Sequence, residues 1–235
     1  MNKKNFNLLS VLFLVSLSVI ASGCTKNNRK NFTLSFEGVA SVKIKSKAGT
    51  VVYVDPGSVT GDFSEKADIV LVTHSHEEHL PRKDLQRKKT CIEITNREAL
   101  VDDEYKTFTI NDITIEAVPV GGKYHPTGFG VGYLISFDGI TVYISGDISF
   151  ITDLSYLSCR KIDYAFYPID GLYTMTPKKA SEVADAVGAK INIPFHQYND
   201  PSLNQHKEDF FTPENTKLVL ESGQTVNLKT GKVFK

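Results

Sequence analysis

Four consecutive apolar residues, Ile69-Val70-Leu71-Val72, three of them β-branched, stop abruptly at Thr73-His74-Ser75-His76-Glu77-Glu78-His79. A run that is apolar on both faces reads as a strand buried on both sides, as in the parallel part of an α/β sheet. Three of the chain's six histidines therefore leave the sheet together at the carboxyl end of a buried strand, where open α/β sheets place their sites. Imidazole and carboxylate are common ligands of zinc and its neighbours, and alternate residues of an extended segment can converge on a cation without a helix. The helical zinc-protease motif does not apply, because it needs histidines four apart and His76 and His79 are three apart. A solvated loop that is merely rich in histidine is the plain alternative.

Around this strand the chain reads as many strands and few helices. "TLSF", "SVKIKS" and "TVVYVDP" precede it, with "KAGT" as a turn; "TCIEIT", "ITIEAVPV" and "VGYLISFDGITVYISGD" follow. Asp138-Gly139 between two β-type runs predicts a hairpin. "PRKDLQRKK" reads as a short helix entered by Pro81. "DYAFYPI" is another strand, and "TPKKASEVADAVGAK" is a helix: Thr176 caps it, Pro177 suits the first turn, Ala180, Val183, Ala184 and Val187 share one face, and Gly188 stops it. "KINIPFH", "TKLVLES" and "QTVNLKTGKVF" supply the last strands.

The first two dozen residues stand apart. Lys3 and Lys4 precede an apolar run, Leu8 to Ile20, too short to span a bilayer comfortably, and Ala21-Ser22-Gly23 lead into Cys24. Small residues before a cysteine resemble the lipobox of bacterial lipoproteins, although Ala21 stands where that pattern prefers Leu. The resemblance implies a signal peptide over 1–23, a lipid anchor on Cys24, a tether over 24–31 and one domain over 32–235, held at the membrane of the bacterial cell envelope. A plain secretory signal or an N-terminal anchor helix are the other readings, and all three put the domain outside the cytoplasm. Overall the 27 basic and 27 acidic residues balance, and losing Lys3 and Lys4 leaves the remainder slightly acidic. A nucleic-acid partner, which calls for a basic surface, is therefore not expected. Cys91 and Cys159 read as buried free thiols.

Three further features fall at the ends of strand-like runs: His125 in "GGKYHPTGFGVGY", Asp147 in "VYISGDIS" and His196 in "INIPFHQYND". Singly, each has an ordinary reading as a turn or a surface residue. Their order resembles the metallo-β-lactamase superfamily, whose signature is a His-x-His-x-Asp-His loop, a further histidine, a Gly-Asp and a final histidine. More narrowly, "YVDPGS", "THSHEEHL", "HPTGFGVGYLI", "YISGD", "YPIDGLYTMTPKKA" and "IPFHQY" look like the branch of the ascorbate-6-phosphate lactonase-like proteins and, more distantly, the N-acylphosphatidylethanolamine-hydrolysing phospholipase D.

That resemblance implies an α/β fold of the four-layer αβ/βα sandwich type, with metals at one edge of two facing sheets. It implies that His74, His76 and His125 hold a first metal, that Glu78, His79 and His196 surround a second, and that Asp147 bridges them. One or two divalent cations, zinc first and manganese next, would generate a hydroxide that attacks a small-molecule ester, lactone or phosphodiester, with Asp147 and Glu78 in the catalytic group. Two departures stand out. Glu78 occupies the position where most of the family has Asp, and His125 comes several residues after its strand. A non-catalytic lipoprotein that keeps the fold and binds a metal or ligand is the competing reading. Asp55 either orients a ligand histidine or makes an Asp-Pro turn. Asp170, Tyr173 and Thr174 fall near the site on the family pattern, as substrate contacts or as plain loop. His206 matches no motif and reads as a surface residue.

Overall fold

The computed structural model describes residues 32–150, 154–197 and 207–235. The signal segment 1–23, Cys24, the tether 24–31 and His206 lie outside the described residues. The chain opens with β1 (Thr33–Gly38), β2 (Ser41–Lys45), β3 (Val51–Val54), β4 (Ala67–Leu71) and β5 (Arg87–Ile94). A short helix α1 (Asn96–Ala99) and the hairpin β6 (Leu100–Val101) and β7 (Glu104–Tyr105) lead to β8 (Thr107–Ile110), β9 (Ile113–Pro119), β10 (Val131–Phe137) and β11 (Ile140–Ile144). Then come α2 (Leu154–Ser158), β12 (Tyr164–Pro168), α3 (Pro177–Val187), β13 (Ile191–Phe195), β14 (Thr216–Lys217), β15 (Gln224–Asn227) and β16 (Val233–Phe234). Two seven-stranded sheets result, ordered β16-β15-β1-β2-β3-β4-β5 and β14-β13-β12-β11-β10-β9-β8.

Strand alternation explains why the sheets meet. From the first sheet Leu34, Val42, Ile44, Val52, Val54, Ile69 and Leu71 point inward, and from the second Ile113, Ile115, Tyr133, Ile135, Val142, Ile144, Phe166 and Ile193 meet them in one buried cluster. Each such aliphatic side chain contributes roughly 1.5–3 kcal/mol when removed from water. The opposite residues of the second sheet, among them Leu134, Tyr143, Ala165 and Tyr167, pack with Ala180, Val183, Ala184 and Val187 of α3. Thr176 caps that helix by accepting from the Lys179 amide, and Gly188 ends it at φ 71°. The hairpin turns at Asp138 and Gly139, both at positive φ, as Asp-Gly predicts.

On the outer face of the first sheet, Tyr53, Val70 and Val72 are covered by Phe63 and Leu85 from the loops flanking β4. The loop before β4 is tied down by charge: Lys43 Nζ lies 3.1 Å from Glu37 and 3.2 Å from Asp62, and Glu37 accepts the Asp62 amide at 2.6 Å.

Three expectations are corrected. "PRKDLQRKK" forms no helix; Arg82 to Leu85 make a turn, and Arg87 to Lys89 already belong to β5. This is the edge strand of its sheet, and its charges are those that keep an edge from pairing with another chain. "TKLVLES" is strand only over Thr216–Lys217. Cys91 and Cys159 are free, but Cys91 is half-buried and Cys159 exposed.

Candidate metal centre

Parallel pairing gathers the ends of five strands along one edge. β3 runs parallel to β4, and β11, β12 and β13 run parallel to one another, so their carboxyl ends open on the same side. Asp55 follows β3, His74 to His79 follow β4, Asp147 follows β11, Asp170 follows β12 and His196 follows β13; His125 comes from the β9–β10 loop. Glycines allow this crowding. A Cβ on Gly57 would sit 2.2 Å from the Glu78 carbonyl oxygen, and one on Gly146, at φ 62°, would sit 2.9 Å from Thr73 Cβ. Asp55 and His196 themselves hold positive φ, 47° and 55°, backbone strain of the kind that collects at functional sites.

All seven residues singled out in the sequence come together. One ligand atom from each of His74, His76, His125 and Asp147 lies within 4.8 Å of the others, and the same holds for Glu78, His79 and His196. In the first group His74 Nε2 and His125 Nε2 approach His76 Nδ1 at 3.0 and 3.2 Å. Ligand atoms about 2.0 Å from a tetrahedral metal stand roughly 3.3 Å apart, so this spacing fits a shared cation. Asp147 stands between the groups. Its Oδ2 is 3.6 Å from His125, 3.9 Å from His74 and 3.2 Å from His196, while Oδ1 is 3.5 Å from His79. His79 Nε2 and Asp147 Oδ1 are buried and make no hydrogen bond, which costs free energy in a protein interior unless a further group satisfies them. The residues present therefore fit a divalent cation in each group. Glu78, despite its extra methylene, reaches the second.

Hydrogen bonds orient the rings. Asp55, fully buried, accepts from His79 Nδ1 at 2.8 Å and from the Thr73 amide and hydroxyl, each at 2.7 Å. Asp170 accepts from His196 Nδ1 at 3.0 Å. Both histidines thus turn Nε2 toward Asp147. Asp55 has the ring-orienting position, and its φ also makes the turn: the two sequence readings describe one residue.

Electrostatics follow from burial and neighbours. Burial, then nearby His79, lowers His74 to about 2, and burial lowers His125 too; neutral imidazole is the form that binds metal. Burial disfavours charge on His79, yet Asp147 and Asp55 outweigh it and lift that ring to about 10. Burial would raise Asp147, but His196 and His79 hold it well below the usual carboxylate range.

A cavity of about 610 Å³ opens over the centre, lined by His76, Glu77, Glu78, Tyr124, His125, Asp147 and Tyr173. Asp170 and Thr174 do not present themselves to it. Asp170 Oδ1 accepts the amides of Leu172 and Tyr173, each at 2.7 Å, and Oδ2 takes the Thr174 hydroxyl as well as His196, so both residues are committed internally and of the three only Tyr173 lines the cavity. Burial would raise Asp170, but these hydrogen bonds, His196 first, keep it low. Phe129, unremarked in the sequence, packs against His76, His74 and His125 with ring centroids 5.3, 5.8 and 6.0 Å away; the aromatic between two glycines after His125 was the available signal.

Comparison with known proteins gives a consistent picture. A model of the beta-lactamase superfamily domain matches residues 33–196. A protein from Ligilactobacillus salivarius, named a metal-dependent hydrolase, is 27% identical over 215 residues, covering 80% of this chain and 96% of its own. One from Geobacillus thermodenitrificans with the same name is 26% identical over 225 residues, covering 83% and 99%. The crystal structure of a provisionally named metal-dependent hydrolase from Parabacteroides distasonis superposes with a TM-score of 0.64 at 29% identity, covering 79% of this chain and 91% of that one.

Proposed function

The chain belongs to the beta-lactamase superfamily, and from that premise we propose that it is a metal-dependent hydrolase that cleaves an ester, lactone or phosphodiester in the cavity over His76 and Asp147. The observation that carries the reading is the convergence of seven donor residues, from positions 74 to 196, on two adjacent points joined by Asp147. His74, His76, His125 and Asp147 would hold one cation, and Glu78, His79 and His196, with Asp147 between, the other. Zinc suits this donor set best and manganese next.

Divalent cations held there supply Lewis acidity, lowering the pKa of water and polarising the oxygen under attack. The chain's own residues do the rest. Asp55 and Asp170 accept from Nδ1 of His79 and His196, so that Nε2 of each ring faces Asp147. Phe129 packs against all three imidazoles of the first group. The wall of Tyr124 and Tyr173 bounds the space in which a small molecule lies. Upstream, the Ala-Ser-Gly-Cys sequence supports a lipid anchor on Cys24 that holds the domain at the bacterial envelope; Cys24→Ser would then release the protein from the membrane fraction.

Metal-loaded protein is expected to hydrolyse members of a panel of esters, lactones and phosphodiesters, chelator-stripped protein to lose that activity and recover it with zinc or manganese, and Asp147→Ala to abolish it. Full metal content with no turnover on the panel would favour the competing reading, a metal- or ligand-binding protein without catalysis. Activity indifferent to stripping and to Asp147→Ala would overturn the proposal.

A further inference from the structure

Tyr124 and Tyr173 form one side of the cavity whose floor is the candidate metal centre. Their rings meet edge to face, with centroids 5.7 Å apart and planes at 75°, yet each stays nearly half exposed, at 48% and 47%. They come from different loops, β9–β10 and β12–α3, and are brought together only by the fold. The segments that carry them expose further apolar residues: Leu172, next in the chain to Tyr173, is 56% exposed, and Phe150, at 43%, is bridged to Gly121 on the loop of Tyr124. Single exposed aromatics are ordinary on a surface, but two aromatic rings in contact beside convergent polar groups have the make-up of a ligand pocket.

The backbone that carries this wall is also tied to the floor. Tyr124 is the residue before His125. Tyr173 donates its amide to Asp170, the carboxylate that orients His196. Each tyrosine is thus tied to one end of the donor cluster by covalent or hydrogen-bonded neighbours, and a molecule gripped at the floor would meet both rings without a loop having to close.

Resting on the hydrolase reading, we infer that Tyr124 and Tyr173 select substrates that carry an apolar planar group, such as an aryl or cyclic moiety, next to the hydrolysed bond. Small polar esters and lactones lack the surface that these rings would cover. An aromatic edge-to-face or stacked contact together with burial of an aryl group predicts about tenfold or more in affinity over a methyl counterpart.

The test is binding of methylphosphonate and naphthylmethylphosphonate to metal-loaded protein by calorimetry, with metal content measured in parallel. In the wild type the aryl ligand is expected to bind at least about tenfold more tightly. The double variant Tyr124→Ala and Tyr173→Ala should bring the ratio near unity with metal content unchanged, and the Tyr→Phe pair should keep it. Equal affinity for the two ligands in the wild type, no binding of either by fully metal-loaded protein, or a ratio untouched by the alanine pair would overturn this inference. Failure to take up metal at all would instead remove the hydrolase reading beneath it.

Discussion

Asp55→Asn isolates the role of the ring-orienting carboxylate, because the side chain keeps its shape and loses only charge and one acceptor. In the native site Oδ1 takes the Thr73 amide, while Oδ2 takes both the Thr73 hydroxyl and His79 Nδ1. An asparagine that retains the amide bond must place its NH2 where Oδ2 was. The Thr73 hydroxyl can turn toward His74 Nδ1, which lies 3.0 Å away, but His79 cannot donate to a donor. Its ring must accept at Nδ1 and carry its proton on Nε2, the atom that faces Asp147. A cation held by Glu78, His79 and His196 would then meet an imidazole with no carboxylate behind it. Removing such an orienting partner lowers metal affinity roughly 10- to 100-fold, or about 1.4–2.7 kcal/mol. One charge-assisted hydrogen bond is also lost in a site that is fully buried, which destabilises the metal-free fold by about 1.5–3 kcal/mol. Chelator competition for metal affinity and urea denaturation of stripped protein measure the two effects separately. Unchanged affinity for a cation at Glu78, His79 and His196 would refute the argument that Asp55 sets the tautomer of His79.

Other expectations follow from the same geometry. Glu78→Asp shortens a side chain whose carboxylate now reaches within 4.8 Å of the His79 and His196 donor atoms, and should weaken the second cation while sparing the first, as read by sequential chelation. Asp62, which hydrogen bonds to Ser64 and an ion pair with Lys43 lower to about 2, stabilises the loop over the first sheet above its unfolded pKa of about 3.9; that contribution disappears as pH falls toward 2. Asp62→Asn should flatten the stability profile between those limits in acid titrations followed by circular dichroism. Thr176→Ala removes the N-cap of α3 and should lower stability by about 0.5–2 kcal/mol in urea denaturation, with metal content unaffected.

Much of this architecture is legible in the sequence where local chemistry decides it. Asp138-Gly139 demands positive φ, and Thr176-Pro177 with Gly188 marks both ends of α3, so each could be placed from neighbours alone. The donors were legible because strand-ending polar residues in a parallel sheet have one edge to gather on. What local pattern misreads is what the sheet decides. Arg87 to Lys89 look helical or looped until β5 is seen as an edge strand, and "TCIEIT" reveals only its carboxyl-terminal part. The helix Asn96–Ala99 does carry a local signal, the capping box of Thr95 and Glu98. The sequence puts Asp170 near the site but does not disclose its role, because its partner His196 lies 26 positions away and nothing in "PIDGLYT" shows that a carboxylate there will be saturated. Cys159 follows α2 directly, and its exposure depends on a helix end that the sequence did not announce.

The most direct measurement is anomalous X-ray scattering from crystals of freshly purified protein, collected across the zinc and manganese absorption edges. The account predicts a peak bounded by His74, His76, His125 and Asp147, and a second bounded by Glu78, His79, His196 and Asp147. Metal-replete crystals with no anomalous density at these atoms, or with metal bound only elsewhere on the surface, would contradict it.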